Sequence, residues 1–132
     1  SQALKSAKSL RRKSASGINS IQRKMDKIHS ELDETSIIIQ QKLAQRDSIN
    51  RLKDSIEERL KQEKERKKQI EQEISSVTGE AKKQLEFTLD TITDQVSELR
   101  KELNSRNLTA KKINDSIDYY SSQKSKLSNQ IN

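Results

Sequence analysis

The sequence contains no cysteine, no proline and no tryptophan, and its 132 residues include only one phenylalanine and two tyrosines. Without cysteine the chain has no disulfide, no thiol nucleophile and no thiolate metal ligand. Hydrophobic residues make up 29% of the chain and charged residues 36%, so large apolar side chains are too few to fill a globular core of this length. Two classes remain, a disordered chain and a long coiled coil.

Residues that break helices are scarce, which favours helix over disorder. Glycine occurs only at Gly17 and Gly79, while Lys, Glu, Gln, Leu and Ile are abundant. The longest purely apolar run, Ile37 to Ile39, is far shorter than the ~20 residues of a membrane span, so we expect no integral membrane segment. Since no secretory signal is visible in the sequence, we expect a cytoplasmic location, or a nuclear one in a eukaryote.

Apolar residues in the second half of the chain recur with steps that alternate between four and three. This spacing keeps one stripe of side chains facing a partner helix and predicts a coiled coil. Only Arg106 and Lys124 interrupt the series. The apolar seam positions are Leu85, Leu89, Ile92, Val96, Leu99, Leu103, Ala110, Ile113, Ile117, Tyr120, Leu127 and Ile131.

The first half follows the same period less regularly, in a register that runs from Ile18 through Ile28 and Ile56 to Val77. Several of its seam positions are polar, and we expect their long side chains to lay aliphatic stems over the seam while the charge reaches water. The alternative is that they set the register or the choice of partner. These positions are Lys42, Arg46, Lys53, Glu63 and Lys67.

The two registers are out of phase by one residue. Continuing the first register predicts a seam position at Gln84, but the apolar residue is Leu85. A turn at Gly79 explains this slip, because glycine inside a helix costs ~1 kcal/mol relative to alanine. Ser75 and Ser76 also suit caps and turns. We therefore predict an all-α fold, a long antiparallel coiled-coil helical hairpin with its turn near Gly79; the alternative is a continuous helix in a coiled-coil oligomer.

The composition predicts two regions. Residues 1–17 form a basic N-terminal segment, either helical or frayed, that ends at Gly17. Residues 18–132 form the coiled-coil hairpin, with arms at about 18–76 and 80–131.

The net charge of +7 lies entirely at the N-terminal end, since residues 31–132 contain 19 basic and 19 acidic residues. Clustered cations are candidate contacts for phosphates or another polyanion, and such binding weakens as salt rises. No aromatic residue accompanies them, so base stacking has no support. The candidate contacts are Lys5, Lys8, Arg11, Arg12, Lys13, Arg23, Lys24 and Lys27.

An acidic row with a spacing of four residues runs along the second helix, and its simplest interpretation is a solvated face. In the hairpin it would lie opposite the basic run Lys61 to Lys68, where cross-helix ion pairs are the alternative, at ~0–1 kcal/mol each. The row consists of Glu86, Asp90, Asp94, Glu98 and Glu102.

Four apolar residues fall outside the seam: Ile37, Ile38, Phe87 and Leu108. Scattered exposed apolar residues are ordinary. The alternative is that they face a second partner, either another hairpin or a docking protein, because a two-helix hairpin alone buries little surface.

The sequence predicts no catalytic, cofactor-binding or metal site, and we expect the chain not to be an enzyme. His29 is the only histidine, with Asp26 and Asp33 within helical reach, and we interpret it as a solvated surface residue. No Gly-rich phosphate loop is present. A coiled coil also lacks the pocket that would desolvate a pair of catalytic groups.

The heptads alone resemble the general class of helical-hairpin arms found in scaffold, tether and ribosome- or chromatin-associated coiled coils. We expect a non-enzymatic scaffold or interaction protein that spans distance and presents helical surfaces to a protein partner or to another copy. The alternative is nucleic-acid or ribonucleoprotein (ribosome-type) binding through the basic N-terminal segment. A third hypothesis is an ESCRT-like hairpin that binds anionic membranes peripherally.

Overall fold

Two helices account for most of the chain. The computed structural model describes residues 2–132, in which α1 spans Gln2–Ile74 and α2 spans Gly79–Ile131. The helices are joined by a short turn and pack against each other, and residues 2–132 contain no strand. The predicted helical hairpin is therefore confirmed, and the continuous helix is not formed.

The turn explains why glycine and serine stand at this point of the sequence. Gly79 has a φ of +67°, in the left-handed region, where side chains bearing a Cβ are strained. The Ser75 hydroxyl donates to the Gln72 carbonyl at 2.6 Å, and both the N–H and the hydroxyl of Ser76 donate to the Glu73 carbonyl at 3.0 Å. The two serines thus satisfy carbonyls at the end of α1 that have no partner within the helix.

The chain divides into two compact units. The turn unit contains residues 43–115, and the terminal unit contains residues 2–42 together with 116–132. Each unit brings a stretch of α1 together with a stretch of α2.

The core of the turn unit is one layer of aliphatic side chains between the two helices. Ile92 is its most deeply buried member, with 1% of its surface exposed. Burying a side chain of this size stabilises the fold by ~1.5–3 kcal/mol. The buried cluster consists of Ile56, Leu60 and Ile70 of α1 with Ile92, Val96 and Leu99 of α2.

Burial follows the predicted seam closely. Every seam position of α1 from Ile28 to Ile74 is buried or half-buried, including the five polar positions, and so is Val77 in the turn. In α2 the same holds from Leu85 to Ile131, except at Lys124, which is exposed. The second register, the first register from Ile28 onward and the slip between them are confirmed. The first register is wrong for its N-terminal part, because Ile18, Ile21 and Met25 are exposed. The physical reason is length, since α1 has 73 residues and α2 only 53, which leaves the start of α1 without an opposing helix.

Within the terminal unit, Ile117 of α2 is buried, and Ile28, Leu32 and Ile39 of α1 are half-buried. All residues from 2 to 27 are exposed. α1 continues through Gly17 without interruption, so residues 2–17 are helical. The boundary between the N-terminal segment and the hairpin stays a prediction.

Candidate interaction surfaces

The eight basic residues that are candidate polyanion contacts lie on an exposed N-terminal stretch of α1. Helical structure spreads them around the helix, and all eight side chains are exposed. The acidic residue among them, Asp26, accepts a hydrogen bond from the Gln22 amide at 2.9 Å. This stretch therefore presents a high density of positive charge to solvent, and a polyanion remains its predicted ligand.

Three of the four apolar candidates are strongly exposed. Phe87 is 75% exposed, Leu108 63% and Ile37 58%, whereas Ile38 is half-buried. Phe87 and Leu108 are three heptads apart on α2, so they share one side of that helix at a separation of about 30 Å. The two side chains are therefore separate exposed apolar sites on the same side of α2 and do not form one continuous patch.

An acidic groove runs along one side of the turn unit. It is open to solvent, with a volume of about 430 Å³. Four carboxylates line it, from Glu63 of α1 and from Asp94, Glu98 and Glu102 of α2, together with the guanidinium of Arg59. Three members of the predicted acidic row therefore gather at one groove.

A cationic groove of about 320 Å³ lies on the other side of the seam, and sequence reasoning missed it. Lys64 and Lys67 of α1 meet Arg100 and Lys101 of α2 there, and no carboxylate is among its lining residues. The two grooves share no lining residue. Glu98 and Arg100, two positions apart, point about 200° apart around α2.

The acidic row is exposed, as its interpretation as a solvated face predicts, and the alternative of cross-helix ion pairs with the basic run is not formed. Within residues 2–132 the single ion pair joins Lys101 Nζ to Glu98 Oε1 at 3.3 Å, inside α2 and in solvent. The reason is geometric, because Lys64 and Lys67 face the side of α2 that carries Arg100 rather than the side that carries Glu98. The heptad positions already place Lys64 and Arg100 beside the helix interface, since each residue directly follows a seam position.

Glu63 is a seam position whose charge is incompletely satisfied. Its Oε2 atom is buried and has no hydrogen-bond partner. Leaving a buried carboxylate oxygen unpaired costs free energy. Glu63 is half-buried at its seam position, but the prediction that its charge reaches water does not hold for this oxygen.

His29 is exposed, and no group of three or more His, Asp or Glu side chains within residues 2–132 is arranged to hold a metal ion. Neither α1 nor α2 has a stretch that is apolar enough over the length of a bilayer to cross a membrane.

Comparison of the chain with protein-family models, with curated proteins and with solved structures found no match. Its own residues and their arrangement are therefore the basis for a functional proposal.

Proposed function

We propose that the chain is a non-enzymatic coiled-coil scaffold that presents exposed helical surfaces to a protein partner. The supporting observation is that the two helices cover the seam of α1 from Ile28 onward, while Ile37, Phe87 and Leu108 stay exposed. The apolar side chains that could form a pocket are used in the contact between the helices. The surface of the hairpin therefore offers open grooves and single exposed apolar side chains, which are better suited to binding a protein than to catalysis.

Site-specific photocrosslinking tests this function. A benzoylphenylalanine replaces Phe87 or Leu108 in the full chain, and replaces Asp115 as the matched control, since Asp115 is exposed at the same heptad position of α2 and lines neither groove. We expect Phe87 and Leu108 to crosslink one and the same protein in the producing cells, with the yield retained at ~0.5 M salt. Equal crosslinking at all three positions, or none, would contradict the function.

A second candidate function is binding of nucleic acid or a ribonucleoprotein through the N-terminal cations. It is supported by the exposure of all eight basic side chains on one helical stretch. Replacing the five basic residues within 1–17 by glutamine would then abolish oligonucleotide binding, and binding by the unmodified chain would fall steeply with salt. The same number of Lys→Gln changes in α2 serves as the control for net charge. Unchanged binding by the N-terminal variant rejects this candidate.

A further inference from the structure

The two grooves of the turn unit have opposite charges and lie at the same level of the hairpin. The acidic groove involves Glu63 and Glu98, and the cationic groove involves Lys64 and Arg100, their near neighbours in sequence. We propose that the cationic groove of one copy docks on the acidic groove of a second copy, so that turn units associate front to back. This inference rests on the proposed function, for which it names a second copy as one of the protein partners.

Within a single copy most charges of both grooves are left unbalanced, the exception being the exposed pair of Lys101 from the cationic groove with Glu98 from the acidic groove. Lys64 and Arg100 are like charges on neighbouring helices, with no acidic residue lining their groove. Glu57 and Glu65 line an adjacent surface of α1 together with Lys61, Lys64 and Lys68, so these carboxylates lie beside Lys64 but outside the cationic groove, and none lies beside Arg100 there. The cationic groove is thus a local excess of positive charge in a region whose sequence is neutral overall.

The acidic groove shows the complementary imbalance. Four carboxylates surround one guanidinium, Glu63 Oε2 has no partner, and Glu98 has only its exposed contact with Lys101. The side chains of Asp94, Glu98 and Glu102 are exposed and follow one another by one helical turn, about 6 Å. They can therefore meet cations from a partner laid along the groove.

A second copy is the occupant favoured by the structure, because both complementary surfaces belong to this chain. No aromatic side chain lines the cationic groove, which gives no support to recognition of nucleic-acid bases there. Each contact uses a different surface on each copy, so it is heterologous, and every added copy leaves one groove of each sign free. Association is therefore expected to continue beyond the dimer as concentration rises.

Sedimentation velocity of the full chain at about 50 mM and about 500 mM salt tests the proposal, because contacts between exposed charges are screened at high salt. We expect concentration-dependent association at low salt and loss of it at high salt. The double variants Lys64→Glu/Arg100→Glu and Glu98→Lys/Glu102→Lys should each associate at least about tenfold more weakly alone. All four side chains are exposed, so the hairpin tolerates these changes, as circular dichroism would verify.

The decisive measurement is sedimentation of the two double variants mixed together. One variant keeps a native acidic groove and the other a native cationic groove, so an equimolar mixture should regain the association that neither variant shows alone. Lys111→Glu/Lys112→Glu changes the net charge by the same amount as the first variant, on exposed residues that line neither groove, and should associate like the unmodified chain.

An unmodified chain that stays monomeric at low salt overturns the proposal, as does association that survives both double reversals. A monomer that instead binds an oligonucleotide or polyglutamate through Lys64 and Arg100 would assign the groove to a different ligand and also overturn it. The proposed function is judged separately, on the crosslinks from Phe87 and Leu108, which lie outside both grooves.

Discussion

Lys64 of α1 and Arg100 of α2 face the same groove of the turn unit, two cations on neighbouring helices without a carboxylate lining the groove beside them. Both residues directly follow a seam position, Glu63 and Leu99, so the packing of the seam places them beside each other. Like charges that flank a helix pair repel each other, and this repulsion costs stability at low salt.

Replacing one of these cations should stabilise the monomeric hairpin. Lys64→Glu turns the repulsion across the groove into an attraction, and we expect the free energy of unfolding in urea to rise by ~0.3–1 kcal/mol at low salt. The gain should shrink as salt screens the exposed charges. Lys82→Glu makes the same change on an exposed residue that lines neither groove, and should give a smaller effect. A gain that is the same at high salt would show that its origin is not electrostatic.

The two glycines should respond oppositely to alanine. Gly79→Ala forces a side chain into the left-handed region and is expected to lower the free energy of unfolding by ~1–2 kcal/mol. Gly79→Asn should cost less, because asparagine tolerates this conformation. Neither a positive φ nor a crowded Cβ constrains Gly17, so Gly17→Ala should raise helix content measured by circular dichroism. Equal responses at the two positions would show that the turn does not need glycine.

Truncating the core should cost far more than truncating an exposed apolar residue of the same helix. Ile92→Ala removes the most buried side chain of the turn unit and is expected to cost ~2–5 kcal/mol in chemical unfolding. Leu108→Ala acts on a side chain that is 63% exposed and should stay within ~0.5 kcal/mol. Similar losses for the two variants would mean that Leu108 is covered in solution, for example by self-association.

Glu63 is predicted to reduce the stability of the seam. Glu63→Leu removes a buried carboxylate oxygen that has no partner and places an apolar side chain on the seam, so the free energy of unfolding should rise by ~1–3 kcal/mol. Glu65→Leu alters an exposed residue two positions away and should have little effect. If Glu63→Leu destabilises the chain, its carboxylate forms a favourable contact in solution, and the residue has a role in register or partner choice.

The seam and the turn could be predicted from the sequence because each depends on local features. The alternating steps from Leu85 to Ile131 are read along one helix, and the slip between Gln84 and Leu85 marks where the register breaks. The structure adds the conformational reason, the positive φ of Gly79. The exposed apolar residues Phe87 and Leu108 were also predictable, because they fall outside the heptad seam.

The heptad positions show that Lys64 and Arg100 flank the seam, but they do not show which residues of the other helix lie beside them, so the two grooves could not be predicted from the sequence. The acidic row was expected to lie opposite the basic run Lys61 to Lys68, but Glu98 and Lys64 line different grooves. Residues 31–132 have no net charge, because the 19 basic and 19 acidic residues cancel when they are summed along the sequence. Around a helix such charges separate, because two positions correspond to a rotation of about 200°.

The sequence alone therefore determined that the chain is helical, which stripe of each helix is buried wherever the two helices pack, and where the chain turns, because periodicity and glycine act locally. Only the tertiary structure decided which charges meet. The packing of Ile56, Leu60 and Ile70 against α2 sets the axial alignment and rotation of the helices, and these bring Lys64 beside Arg100 while Glu98 faces the other side.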